Sequence, residues 1–90
     1  MYKELLTKPQ TPEFTARILS YEIGDIHRYM IYQERFGPVG YIGNLKASCA
    51  DAMTMIGLLC EQLGFDLNEV EDFGLERFKE RMREVESGHQ

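Results

Sequence analysis

Ninety residues at 43% hydrophobic and 28% charged describe one globular domain whose folding hides only about 60–65% of its unfolded surface. That balance excludes both a disordered chain and a transmembrane run. A net charge of −5 excludes general nucleic-acid binding, which needs clustered Lys and Arg; an anionic ligand would need a cation to bridge it to acidic groups.

The opening residues MYKELLTK contain no apolar stretch of the kind a secretory signal needs, so the expected location is the cytoplasm. The organisation expected is an N-terminal segment over 1–11, one helical domain over 12–87 and a tail over 88–90. Thr11-Pro12-Glu13 combines an N-cap residue, a proline at the first helical position and an acid in the first turn, and predicts a helix from Pro12 to about Arg35. From Phe36 to Gly43 three glycines and a proline predict a loop. Asn44 is the expected cap of a second helix beginning at Leu45, with Leu45, Cys49, Ala52, Ile56, Leu59 and Leu63 as its apolar stripe and Gly64 as its stop.

Asp66-Leu67-Asn68-Glu69 has capping-box form and predicts a third helix that continues past Gly74, with a break at that glycine left open. Its apolar stripe is Leu75, Phe78, Met82 and Val85, set in a mixed-charge face. No segment alternates long enough to read as a strand, so the class is all-α: a helical hairpin plus a third helix, completing a four-helix-type bundle by oligomerisation. Cys49 and Cys60 are eleven residues apart on one helix, roughly 16 Å along its axis, too far to bridge. Both read as small buried hydrophobes.

Within the first helix, Glu22 and Asp25 stand three residues apart, about 60° around the axis and about 4.5 Å along it. On the second helix, Asp51 lies one turn beyond Ser48, on a stripe that also holds Asn44 and Met55. If the two helices pack antiparallel, three carboxylates on rigid elements suit a hard divalent cation, Mg²⁺ or Mn²⁺, which takes oxygen ligands, water and substrate phosphates. Read plainly, the same pair is a wet helix face, with Arg28 one turn past Asp25 to form an exposed ion pair.

The order of these features resembles the MazG-like, all-α nucleoside triphosphate pyrophosphohydrolases. In that family a helix with E-E-x-x-E precedes a helix with E-x-x-D and an apolar run. Tyr21-Glu22-Ile23-Gly24-Asp25 stands where the first motif would be, and Ser48-Cys49-Ala50-Asp51 where the second would be. The run AMTMIGLLCEQLGFDLNEV is similar to the family's helix ending in Leu-Gly before a new helix. The resemblance covers roughly residues 14–85. It implies Mg²⁺-dependent cleavage between the α and β phosphates of a nucleotide, with Glu22, Asp25 and Asp51 at metal-ligand positions and one of them helping to deprotonate or orient the water. Tyr21 and Ser48 depart from the pattern, and the lost carboxylate at 48 weakens the cage.

The expected function is therefore release of pyrophosphate from a nucleoside triphosphate by a homodimer or higher homo-oligomer. The alternative is a non-catalytic module that keeps the scaffold for oligomerisation or partner binding. Asn44, Lys46, Lys79 and Arg83 are candidate phosphate contacts, with ion pairing to Glu76 or Glu80 the plainer account of the last two. His27 lies about 140° around the helix from Glu22 and reads as a surface residue; His89 falls in the polar tail. Tyr21, Tyr29, Met30 and Tyr32 offer surface that would either stack on a base or fill a dimer core, as do Met53 and Met55. The glycines between Phe36 and Asn44 lack the Gly-Lys-Ser/Thr of a phosphate loop and read as a bend or lid.

Overall fold

A computed structural model describes residues 1–37 and 40–88. Pro38 and Val39 of the expected loop, and His89 of the tail, lie outside the described residues. The described chain is all-helical: a short 3-10 turn at Lys3–Leu5, then α1 (Pro12–Phe36), α2 (Ile42–Leu63) and α3 (Leu67–Gly88). Among the described residues no helix is long and apolar enough to cross a membrane.

Local chemistry sets most of the boundaries. The Thr11 side chain accepts a hydrogen bond from the Phe14 N–H at 3.1 Å, with Pro12 at the first helical position, so an otherwise orphaned donor of α1 is satisfied. Gly64 adopts φ 78°, a left-handed conformation open to glycine. There its N–H meets Glu61 O at 3.2 Å while the Phe65 N–H reaches Cys60 O at 2.8 Å, closing α2. Asp66 Oδ1 accepts from the Asn68 and Glu69 N–H groups at 2.8 and 3.2 Å and starts α3. That helix runs unbroken through Gly74.

The start of α2 differs from the sequence expectation. It begins at Ile42, Tyr41 precedes it without a side-chain cap, and Asn44 lies inside the first turn. Gly43 is tolerated there because helical glycine costs only about 1 kcal/mol relative to alanine.

α1 and α2 pack as an antiparallel hairpin. Tyr29 and Tyr32 near the end of α1 meet Tyr41 at the start of α2, while Gln10, just before α1, accepts from Gln62 Nε2 near the end of α2 at 2.8 Å. The seam is regular on both sides. On α1 the inward positions are Thr15, Ile18, Glu22, Asp25 and Tyr29, spaced three and four residues apart; facing them are Tyr41, just before α2, and Leu45, Ser48, Ala52, Met55 and Leu59 on it. α2 is the most buried helix, and Ala52, Leu58 and Cys60 are the buried apolar residues among those described.

Two readings of the apolar stripe need correction. Cys49 is exposed, although Cys60 is buried as expected, and both are free thiols. Ile56 and Leu63 are also exposed, at 41% and 49%, whereas Ser48, placed on the stripe with Asp51, is only 5% exposed. The small residues Ser48 and Ala52 are the ones α2 buries at this level of the seam.

The N-terminal segment is strapped to α2. Glu61 accepts hydrogen bonds from the Tyr2 and Lys3 N–H groups at 2.8 and 2.9 Å. These two bonds, Tyr2's first, hold its carboxyl down from 4.5 to about 2. The Tyr2 ring lies over Gly57, where an added Cβ would fall 2.5 Å from a ring carbon.

Candidate functional site

The hairpin places Glu22 and Asp25 on the inward face of α1, at positions where a seam of this spacing ordinarily carries Leu or Ile. Both are partly buried. The carboxyl of Glu22 is raised above its ordinary value, first by burial, then by the negative charge of Asp51, then by that of Asp25. Residues from two helices therefore share one electrostatic environment, with Glu22 at its centre.

Asp25 pairs with Arg28 at 3.0 Å at the solvent edge of the seam, its side chain 39% exposed and that of Arg28 50%. Such a pair contributes under about 1 kcal/mol. The Arg28 guanidinium also lies 5.0 Å from the centre of the Tyr29 ring. Asp51 is exposed, on the α2 side of the same region, and Ser48 one turn before it is buried in the seam. The position where the resemblance expects a glutamate is thus occupied by a side chain that packs.

Of the remaining candidates, Asn44 and Lys46 are exposed on the first turns of α2. Lys79 and Arg83 are engaged along α3 itself, with Glu76 at 3.5 Å and Glu80 at 2.8 Å. Among the described residues α3 makes no contact with α1, so these two cations are not brought to the carboxylates of their own chain. His27 is exposed. Tyr21 and Met30 are exposed as well, but Tyr29, Tyr32, Phe36 and Tyr41 form a chain of ring contacts with centroids 5.7–6.4 Å apart. Tyr41 was not singled out from the sequence; the 3-4 spacing of Tyr29, Tyr32 and Phe36 was the signal available.

The donor chemistry suits a hard cation, since burial and the charges of Asp51 and Asp25 raise the cost of ionising Glu22 and a divalent ion would relieve it. Their arrangement is not closed: among the described residues no group of three or more His, Cys, Asp or Glu is disposed to hold a metal ion. Comparison with family models, with curated proteins and with solved structures gives no match.

Proposed function

We propose that this chain is a metal-dependent nucleotide pyrophosphohydrolase of MazG-like type, working as a homo-oligomer in the cytoplasm, with its activity lowered by Ser48. The observation that supports the reading is the placement of Glu22 and Asp25 in the α1–α2 seam, with Glu22 raised by burial and by Asp51 and Asp25. A structural seam has no use for two acids. Replacing them with well-packed apolar side chains would stabilise a hairpin whose core is this small.

Glu22, Asp25 and Asp51 would hold Mg²⁺ or Mn²⁺. Bound there, the ion supplies neutralisation of phosphate charge and a water of lowered pKa. The chain's own contribution is positional. Helices α1 and α2 fix the three carboxylates, Arg28 steadies Asp25 through its ion pair, and Asp51, the most exposed of the acids, is best placed to orient a water or accept its proton.

The second reading, a non-catalytic helical module, is favoured by the burial of Ser48 in place of a fourth acid. One experiment separates the two. Thermal unfolding at fixed protein concentration is followed with and without millimolar Mg²⁺ or Mn²⁺, for the parent and for Asp51→Asn, and pyrophosphate release is measured across a nucleotide panel. The pyrophosphohydrolase reading expects a metal-dependent rise in Tm that the substitution removes. No shift and no release would leave the module reading standing.

A further inference from the structure

The third helix is a regular element with nothing of its own chain to lie on. No residue of α3 is buried. It meets α2 only sparsely, with Leu67 and Val70 partly covered at its start. Yet a helix of 22 residues owes its stability in water mainly to packing of one face. α3 has such a face: at 100° per residue Gly74, Phe78 and Val85 fall within about 20° of the direction of Leu67, with Val70 and Met82 about 60° to either side. The stripe therefore continues the face by which α3 starts against α2 and looks across the open angle between the two helices. A groove of about 400 Å³ lies at the root of that angle, between Met53 and Ile56 of α2 and Leu67 and Val70 of α3.

The surface area says how much is missing. The chain exposes 7424 Å², whereas a compact monomer of its mass exposes about 5,400 Å². Its radius of gyration is 16.5 Å against about 12 Å for a compact chain of this length. Roughly 2,000 Å² per chain is in excess, or about 4,000 Å² for a pair, which falls in the range of obligate homodimers and well above a transient contact. One chain also carries both halves of such an interface, an apolar helix and an apolar groove, so two copies can satisfy each other reciprocally. Charge permits the approach: between Glu76 and Glu84 the flanks of the stripe hold Arg77, Lys79, Arg81 and Arg83 against three glutamates, although the whole chain is at −5.

Gly74 adds a separate observation. It sits in mid-helix without a positive φ, and a Cβ built there meets nothing within 4 Å. Within its own chain glycine has no packing reason to be there, while a second helix crossing close to α3 would give it one.

We propose that α3 is an intermolecular arm: the Leu67–Val85 stripe of each copy packs into the α2–α3 angle of a second copy of this chain. The proposal deepens the homo-oligomer part of the function proposed above and is independent of its metal chemistry. The test is the mass of the full chain in solution by sedimentation equilibrium at micromolar concentration, with helicity by circular dichroism. The parent is expected at twice 10.5 kDa. Phe78→Glu is expected to raise the dimer dissociation constant at least 100-fold. Gly74→Ala, which in a free helix would only increase helicity, is expected to weaken association at least several-fold with helicity retained, and so covers the case in which Phe78→Glu fails to fold. A monomeric parent overturns the proposal, as does a dimer indifferent to Gly74→Ala and Phe78→Glu. A dimer without any metal-dependent Tm shift would sink the pyrophosphohydrolase reading and leave the arm intact; a monomer with the shift would do the reverse.

Discussion

Ser48→Glu is the substitution that bears most directly on the site. Ser48 is 5% exposed in the α1–α2 seam and precedes Asp51 by less than one turn. A glutamate adds three heavy atoms to a close-packed position, which costs about 1–3 kcal/mol in overpacking. Its charge adds to a region where Glu22 is already raised by burial, Asp51 and Asp25, so a total near 3 kcal/mol is expected without metal. Against the roughly 5–13 kcal/mol available to a chain of this length, that is a large fraction. At an m-value of about 1.5 kcal/mol/M it lowers the urea midpoint by about 2 M.

If the acids form a cation site, Mg²⁺ at 100 times its dissociation constant returns about 2.7 kcal/mol, nearly the whole loss. Ser48→Gln is the control, with the same bulk and no charge: it should suffer the overpacking and show no recovery. The assay is a pair of urea titrations per variant, with and without metal at one protein concentration, plus pyrophosphate release, which should rise above the parent only in the glutamate variant. Equal responses of the glutamate and glutamine variants to Mg²⁺ would refute the argument, as would a metal-free cost under about 1 kcal/mol.

The N-terminal strap gives two further tests. Because hydrogen bonds from Tyr2 and Lys3 lower the Glu61 carboxyl from 4.5 to about 2, its contribution is present above pH 4.5 and is lost as pH falls through about 2. The Tyr2 and Lys3 amide proton resonances should therefore titrate with a midpoint near 2; a midpoint at 4.5 would show that Glu61 does not hold them. Gly57→Ala should expel the Tyr2 ring, whose nearest carbons lie 2.5 and 2.7 Å from the new Cβ, while leaving the α1–α2 hairpin folded. Trypsin is the readout: Lys8 precedes Pro9, so Lys3 is the productive site in the strap, and its cleavage should accelerate at least several-fold. An unchanged rate would mean the ring does not depend on Gly57.

What was legible in the sequence was the chemistry that acts over a few residues. Thr11 with Pro12, Gly64, and Asp66 with its following amides terminate helices through bonds within five residues of themselves, and each boundary they set was readable. The start of α2 was not, because Gly43 and Ile42 are weakly helical alone and are carried by the hairpin. The strap joins Tyr2 to Glu61 across 59 positions, and no periodicity in either segment announces it. The same limit applies to α3. Its stripe was readable as apolar, but its exposure depends on where α2 leaves it.

The site shows the same division more sharply. Two acids at i and i+3 look identical on a wet face and on a seam, and the sequence of α1 alone does not separate the cases. The missing information is the rotation of α2, which shows in the structure as the burial of the small residues Ser48 and Ala52. With Ser48 turned inward, Glu22 and Asp25 stand on the side of α1 toward α2, at a partly covered edge of the seam rather than on an open face. Ser48 therefore acts in two opposed ways. On the metal-site proposal it stands where a fourth carboxylate would, and it packs in the seam that holds Glu22, whose carboxyl is raised in part by Asp51. A bulkier neutral residue there would separate the acids, while a charged one would complete the set against the seam's own packing. If the acids hold an ion, the position is a compromise between that and packing the hairpin, and a buried serine favours the hairpin.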